Sequence, residues 1–115
     1  MPLDKNIENL RDIQEYVEKI LQYTKDFITV TDFYQNQVFF DAVLMNFVNI
    51  GESVSRISDQ FQLAHPEIDW VNIKGLRNTI AHDYLGIDAE EIWQIVKNNI
   101  PHLNITVNTL LDNLK

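Results

Sequence analysis

The strongest sequence pattern for an α-helix lies in residues 3–28, which read LDKNIENLRDIQEYVEKILQYTKDFI. Apolar residues recur there at intervals of three and four, which is the pattern of an amphipathic α-helix. The apolar positions are Leu3, Ile7, Leu10, Ile13, Val17, Ile20, Leu21 and Phe27. Acidic side chains fall on the opposite, solvent-facing side of the helical wheel. The pattern predicts one long helix over about residues 3–28.

A second segment with helical period follows over residues 34–61 and predicts a second long helix. Gly51 interrupts it. A glycine inside a helix costs about 1 kcal/mol relative to alanine, so Gly51 indicates that another backbone approaches closely there. Between the two segments, residues 27–30 have strand-like composition but are too few to build a sheet.

Two further helices are predicted in the C-terminal half of the chain. A short one covers about residues 70–84, and Gly86 stands where a C-terminal cap belongs. Asp88 has the position of an N-cap for the last helix, which covers about residues 89–114. Pro101 should kink or split that helix, because proline lacks the N–H that the helix interior requires. The prediction is an all-α fold, an antiparallel bundle of four to five helices.

Length and composition support one helical domain over residues 1–115. Apolar residues make up 45% of the chain, enough for a core, and three Gly with three Pro are too few for a many-stranded sandwich. There are no cysteines, which excludes disulfides, cysteine-bound metals and a thiol nucleophile. The absence of cysteine also fits a reducing cytoplasm.

The charge balance restricts the partners that the chain can bind. A formal net charge of -8 repels anionic membranes and bulk nucleic acid, so any contact with RNA must be made locally, through a small basic site. The N-terminal residues do not resemble a signal peptide, and no segment is apolar enough to span a membrane. We therefore expect a cytoplasmic protein that does not associate with membranes.

The side chains best suited to catalysis or binding are concentrated in residues 77–84, which read RNTIAHDY. On a helical wheel Arg77, Asn78 and His82 share one arc, beside a core-facing arc that ends at Tyr84. The small residues Gly75 and Ala81 lie among the polar ones and would let a partner helix or a phosphate backbone come close. Asn78 is one turn before His82 and can fix its tautomer, and Arg77 is two turns from Tyr84, which predicts neighbouring side chains.

The order Arg-Asn-x-x-x-His-x-Tyr resembles the signature of HEPN domains, in particular the HepT-like branch. The similarity extends over nearly the whole chain. It includes Asn46-x-x-x-Ile50-Gly51-Glu52, the run Pro66-Glu67-Ile68-x-Trp70-x-x-Ile73-x-Gly75 before the motif, and Tyr84-Leu85-Gly86-Ile87-Asp88, Trp93 and Ile100-Pro101 after it.

This resemblance implies a helical homodimer with endoribonuclease activity, in which Arg77 and His82 are catalytic and Asn78 supports them. HepT-like proteins are similar to toxins encoded beside a minimal nucleotidyltransferase antitoxin. In that family the antitoxin transfers AMP to the tyrosine of the motif, which is Tyr84 in this sequence. Glu52, in the second signature, is expected to be a supporting residue.

The residues also support this chemistry without the resemblance. An imidazole can act as base or acid near neutral pH, and a guanidinium binds phosphoryl oxygens while it stays charged. The carboxylates do not cluster as metal ligands, so the sequence predicts cleavage of RNA without a metal or other cofactor. Acid and base acting together require two imidazoles, and a second copy of His82 across a two-fold axis is the simplest source.

Other roles for the same residues stay open at this point. Arg77 can form a structural ion pair with Glu52, and Tyr84 can be a half-buried residue with its hydroxyl at the rim of the core. Asn46 and Glu52 can be buried polar groups with partners. The alternative function is a non-catalytic HEPN module that binds nucleotide or a nucleotidyltransferase partner.

Overall fold

The structure is a computed structural model that describes residues 2–114, with side chains from Lys5 to Leu114. The side chain of Leu3, predicted to lie in the first apolar stripe, is outside the described residues. Helices make up 85% of the structure, and residues 2–114 contain no strand. The prediction of an all-α fold is therefore confirmed.

Seven α-helices and two shorter helical segments follow one another along the described residues. They are α1 (Pro2–Thr24), α2 (Val30–Gln35), α3 (Gln37–Arg56), α4 (Asp59–Ala64), α5 (Trp70–His82), a 3-10 turn (Tyr84–Gly86), α6 (Ala89–Gln94), a π-helical segment (Ile95–Asn99) and α7 (Ile100–Asn113).

The second predicted helix, residues 34–61, is in fact three helices, because two polar side chains start new ones within it. The side chain of Asn36 accepts a hydrogen bond from the Phe39 N–H at 3.3 Å and begins α3. Ser58 Oγ accepts from the Phe61 N–H at 3.2 Å and begins α4. Both are N-caps, which satisfy backbone donors that a helix end would otherwise leave free.

The first and third predicted helices are shorter than the sequence pattern indicated. α1 ends at Thr24, and the strand-like residues 27–30 form a loop that leads into α2. α5 ends at His82, and Gly86 is not its C-terminal cap, because its φ is not positive. Gly86 instead closes the 3-10 turn, where its N–H donates to Asp83 Oδ1 at 3.2 Å.

The C-terminal helix is continuous over residues 89–113 but changes its winding before Pro101. Asp88 caps its start as predicted, with Oδ1 accepting from the Glu90 N–H at 2.9 Å. The disturbance expected at Pro101 is a π-helical segment immediately upstream rather than a split. Proline cannot donate to the carbonyl four residues earlier, and a local π turn accommodates the missing bond.

Helix α3 is the centre of the bundle, with α1 packed on one side of it and α5 on the other, while α7 packs on α1. The core consists of apolar residues from all of these helices, including Leu10, Ile13, Val17, Ile20, Val43, Leu44, Ile50, Val54, Ile80, Val96 and Val107. Trp70 and Trp93 are buried, as expected. None of the helices in the described residues has both the length and the apolar character to cross a membrane.

One side of α3 is left uncovered between its two neighbours. We call it the exposed edge of α3; it consists of Val38, Asp41, Met45, Glu52 and Arg56, at intervals of three, four or seven residues. Val38 and Met45 are 77% and 59% exposed. This edge borders residues 77–84, because Glu52 forms an ion pair with Arg77 and Asp41 accepts a hydrogen bond from Tyr84.

Candidate active site

The guanidinium of Arg77 is held against α3. Its Nη1 lies 3.2 Å from Glu52 Oε1, and its Nη2 donates to Ser55 Oγ at 3.2 Å. The ion pair considered for Arg77 and Glu52 is therefore present. Arg77 Nε is buried and has no hydrogen-bond partner among the described residues. The side chain is only 22% exposed, and its contacts with α3 hold it in place.

Gly51 makes the position of Arg77 possible. A Cβ atom placed on Gly51 would lie 2.3 Å from Arg77 Cβ and 2.6 Å from Arg77 Cγ, distances at which atoms overlap. The close approach predicted at Gly51 is confirmed, but a side chain makes it rather than a backbone. Gly75 is different, because a Cβ there would meet nothing within 4 Å.

His82 is the last residue of α5, and its imidazole is exposed to solvent. Asn78, one turn earlier, is exposed too. The predicted hydrogen bond between the two side chains is not formed, and neither side chain has another partner among the described residues. Asn78 therefore does not fix the tautomer of His82, and the imidazole ring is free to bind a ligand.

Tyr84 lies in the 3-10 turn just beyond α5 and is 45% exposed. The core-facing position predicted for it is wrong, because α5 ends at His82 and the helical period stops there. Its hydroxyl donates a short hydrogen bond to Asp41 Oδ1 on α3. That hydrogen bond raises the pKa of Tyr84, with smaller contributions from burial and from the negative charge of Asp41. The phenol therefore stays protonated to a higher pH than an ordinary tyrosine.

Arg77 and Tyr84 are not neighbours within one chain, although their spacing on a helical wheel predicted it. The guanidinium lies at Glu52 and the phenol at Asp41, eleven residues apart on α3. Eleven residues of α-helix rise about 16 Å. Arg77 reaches toward the C-terminal end of α3 and Tyr84 toward its N-terminal end. In sequence, His82 lies between these two residues, which contact α3 at separate places.

The structure adds Ser55 and Asp41 to the residues that the sequence indicated. Both were missed because they lie on α3, far from the motif in sequence, and their partners depend on the register of α3 against α5. Asn46 is 7% exposed and donates to the Ala42 carbonyl at 2.8 Å, so it is a buried polar group with a partner. It forms no hydrogen bond with the described residues of the motif.

The other two histidines lie outside this site. The ring of His65 packs on Phe61 with 4.4 Å between centroids, and its Nδ1 is 3.6 Å from Glu67 Oε2. His102 lines a groove of about 420 Å³ between α5, the π-helical segment and α7. Within the described part of the chain, no three His, Asp or Glu residues are grouped so that they could hold a metal ion.

Comparison with known proteins gives consistent matches over most of the chain. The family model described as "Ribonuclease HepT-like" matches residues 13–110, which include the whole motif. A protein named "Probable ribonuclease HepT" from Thermococcus cleftensis is 35% identical over 94 residues, 82% of this chain and 84% of its own length.

Two other relatives carry similar names. "Putative RNase MJ1380" of Methanocaldococcus jannaschii is 35% identical over 94 residues, 82% of this chain and 85% of its own. "Putative RNase TTE0752" of Caldanaerobacter subterraneus is 29% identical over 106 residues, 87% of this chain and 95% of its own. No solved structure matches the chain significantly.

Proposed function

Because the chain belongs to the HepT-like ribonuclease family, we propose that it is an endoribonuclease whose catalytic residues are Arg77 and His82. The observation that carries the proposal is the contrast between the two side chains. Arg77 is fixed on α3 by Glu52, Ser55 and the space above Gly51, whereas His82 is exposed without a partner. A fixed cation and a free imidazole on one helix are suited to stabilising charge and moving a proton.

The reaction follows from these two groups. One imidazole takes the proton of the RNA 2′-hydroxyl, and the 2′-oxygen attacks the adjacent phosphorus. The bond from phosphorus to the 5′-oxygen breaks, and that oxygen receives a proton from a second imidazole. Arg77 binds the phosphoryl oxygens as their negative charge increases. The products are a 2′,3′-cyclic phosphate and a 5′-hydroxyl.

This mechanism uses no metal ion, so cleavage should be unaffected by EDTA. The test is to incubate the protein with a labelled single-stranded RNA, with and without chelator, and to analyse the 3′ ends by mass spectrometry. We expect equal rates and 2′,3′-cyclic or 3′-phosphate ends. Loss of cleavage in EDTA that magnesium restores would contradict the proposed mechanism.

The second imidazole is proposed to come from a second copy of the chain. The exposed edge of α3 supports this, because Val38 and Met45 present apolar side chains to solvent beside the motif. A two-fold axis near Met45 would bring His82 toward the partner subunit's His82. The proposed functional unit is therefore a symmetric homodimer with RNA in the cleft between the subunits.

Met45→Asp should convert this dimer into monomers and remove cleavage, because it places a charge in the apolar part of the proposed interface. Sedimentation equilibrium gives the mass, and the RNA assay gives the activity. Ile105→Asp is the matched control, since Ile105 is an equally exposed apolar residue on α7, at 64% exposure. A wild-type protein that is monomeric at the concentration where it cleaves RNA would refute the shared site.

Regulation is proposed to act through Tyr84, with a minimal nucleotidyltransferase antitoxin as the partner. Tyr84 is half exposed and lies two residues from His82. An AMP group on it would remove the hydrogen bond to Asp41 and add a negative phosphodiester beside that carboxylate. The nucleotide would then turn away from Asp41 and cover His82, where it competes with RNA. In this proposal the chain is the toxin of the pair.

Wild-type protein treated with the nucleotidyltransferase and ATP should gain the mass of one AMP and lose RNA cleavage by at least an order of magnitude. Tyr84→Phe should gain no AMP and stay active under the same treatment. Intact-protein mass spectrometry and the RNA assay, run on the same samples, measure both effects. Full cleavage by a protein that carries AMP on Tyr84 would contradict the switch.

One observation favours a second function, a non-catalytic module that binds nucleotide or the transferase. Glu52 already neutralises Arg77, which weakens the attraction of the site for phosphate. The two functions differ in one measurable respect: only the ribonuclease cleaves RNA in a way that depends on His82.

A further inference from the structure

A second concave surface lies beside the candidate active site, where the start of α1 passes the end of α3. It is an open cavity of about 570 Å³. Three of its six lining residues are cations, Lys5, Arg11 and Arg56, and the others are Glu8, Asn9 and Asp12. Its formal charge is therefore positive, in a chain whose net charge is -8.

The three cations of this cavity are not used by the fold. Elsewhere Lys19 pairs with Glu15 at 3.5 Å, Arg77 pairs with Glu52, and Lys97 lies 4.5 Å from the centroid of the Trp93 ring. The side chains of Lys5, Arg11 and Arg56 have no such partner among the described residues. Glu8 and Asp12 line the same cavity but form no ion pair with them. The cations are thus available to an anionic ligand.

The backbone that carries these cations is held in place. Asn6 is 5% exposed; its Nδ2 donates to Ser58 Oγ at 3.1 Å, and its Oδ1 accepts from the Ser58 N–H at 3.0 Å. This reciprocal pair joins the start of α1 to the end of α3. The backbone positions of Lys5 and Arg56 therefore keep their spacing before any ligand binds, which lowers the entropy that binding would cost.

Arg56 connects the cavity to the candidate active site along α3. Arg56 follows Ser55, whose Oγ accepts from Arg77, and it lies one turn beyond Glu52 on the exposed edge of α3. One turn of helix is about 5.4 Å. An extended polyanion bound at Arg77 can therefore continue to Arg56 and then to Lys5 and Arg11.

We propose that Lys5, Arg11 and Arg56 form a subsite for the backbone phosphates of single-stranded RNA that flank the cleaved bond. The inference rests on the proposed function, which supplies the RNA. A chain with a net charge of -8 can contact RNA only through a small basic surface, and these three residues provide one. Such contacts are independent of base sequence, so the subsite adds affinity and orientation rather than sequence preference.

The test is the binding of a fluorescein-labelled oligouridylate by fluorescence anisotropy over a range of salt concentrations. A His82→Ala background prevents cleavage during the measurement. Each phosphate contact to a single strand contributes about -0.7 to the slope of log K against log salt. The variant Lys5→Gln, Arg11→Gln, Arg56→Gln should therefore reduce the slope by about 2 and weaken binding about 10²-fold at 0.1 M salt.

Matched variants separate this subsite from a general effect of charge. Lys25→Gln removes one unpaired cation just past the other end of α1, about 30 Å from Lys5, and should change binding far less than Arg56→Gln does. Glu8→Gln with Asp12→Asn makes the cavity more positive and should tighten binding. Circular dichroism and thermal melting of each variant show whether the helical fold is kept.

The possible outcomes distinguish this inference from the proposed function. If the triple variant binds RNA like its parent, or if Lys25→Gln weakens binding as much as Arg56→Gln, the subsite is refuted and the ribonuclease proposal is unaffected. If the wild-type chain neither binds nor cleaves RNA, both proposals fail. A KM for RNA that rises in the triple variant, with kcat unchanged, supports a binding subsite outside the reacting centre.

Discussion

His82→Ala is expected to lower the rate of RNA cleavage by about 10² to 10⁴-fold, the range that general acid–base catalysis contributes. The effect should fall on kcat rather than on KM, because in the proposed reaction the imidazole moves a proton and holds no phosphate beforehand. The fold should be unchanged, since His82 is exposed at the end of α5 and its imidazole forms no hydrogen bond or ion pair with another described residue. Cleavage kinetics and a far-UV circular dichroism spectrum measure the two expectations.

His102→Ala is the matched control for this experiment. His102 is also an exposed helical histidine, but it lies on α7 and lines the separate groove. Its removal should leave cleavage within a factor of about two of wild type, as expected for a surface substitution outside the site. Cleavage that survives His82→Ala, or that is lost equally in both variants, would exclude His82 as the proton-transfer group.

The fold class could be predicted from sequence because the apolar period is strong in the helices that form the core. Leu10, Ile13, Val17 and Ile20 were expected on one stripe, and all are at most 1% exposed. The breaks within residues 34–61 could not be predicted from that period. The apolar pattern continues through Asn36 and Ser58, whereas the helix ends depend on single hydrogen bonds that those two side chains accept from backbone N–H groups.

The candidate site was predictable in its residue types but not in its geometry. A helical wheel gives the angle of a residue around the axis, and from it Arg77 and Tyr84 should be neighbours. It does not give the direction in which a long side chain runs, and Arg77 runs to Glu52 and Ser55. It also assumes that the helix continues, whereas α5 ends before Tyr84. The direction of Arg77 depends on how α3 packs on α5, which no local pattern encodes.

Gly51 links that packing to the proposed catalytic role of Arg77, because the side-chain stem of Arg77 lies directly against it. A methyl group at Gly51 would overlap Arg77 Cβ at 2.3 Å, and the stem cannot turn aside without moving the guanidinium. Overpacking of this kind costs about 1–3 kcal/mol. Replacing glycine with alanine in a helix gains roughly 1 kcal/mol in helix propensity, so the net effect lies between no change and a loss of about 2 kcal/mol. A displacement of about 1 Å in a positioned group can lower a rate about 10²-fold.

Gly51→Ala should therefore reduce RNA cleavage about 10²-fold and leave the protein no more stable than wild type, or less stable by up to about 2 kcal/mol. Gly75→Ala is its matched control, since Gly75 is in α5 with open space around its Cα, and it should raise stability by about 0.5–1 kcal/mol without affecting cleavage. Urea unfolding gives the stabilities and the RNA assay gives the rates. Wild-type cleavage by Gly51→Ala would mean that the contact of Arg77 with α3 is not needed for the reaction, and the catalytic role of that guanidinium would then have to be assigned to a different conformation of its side chain.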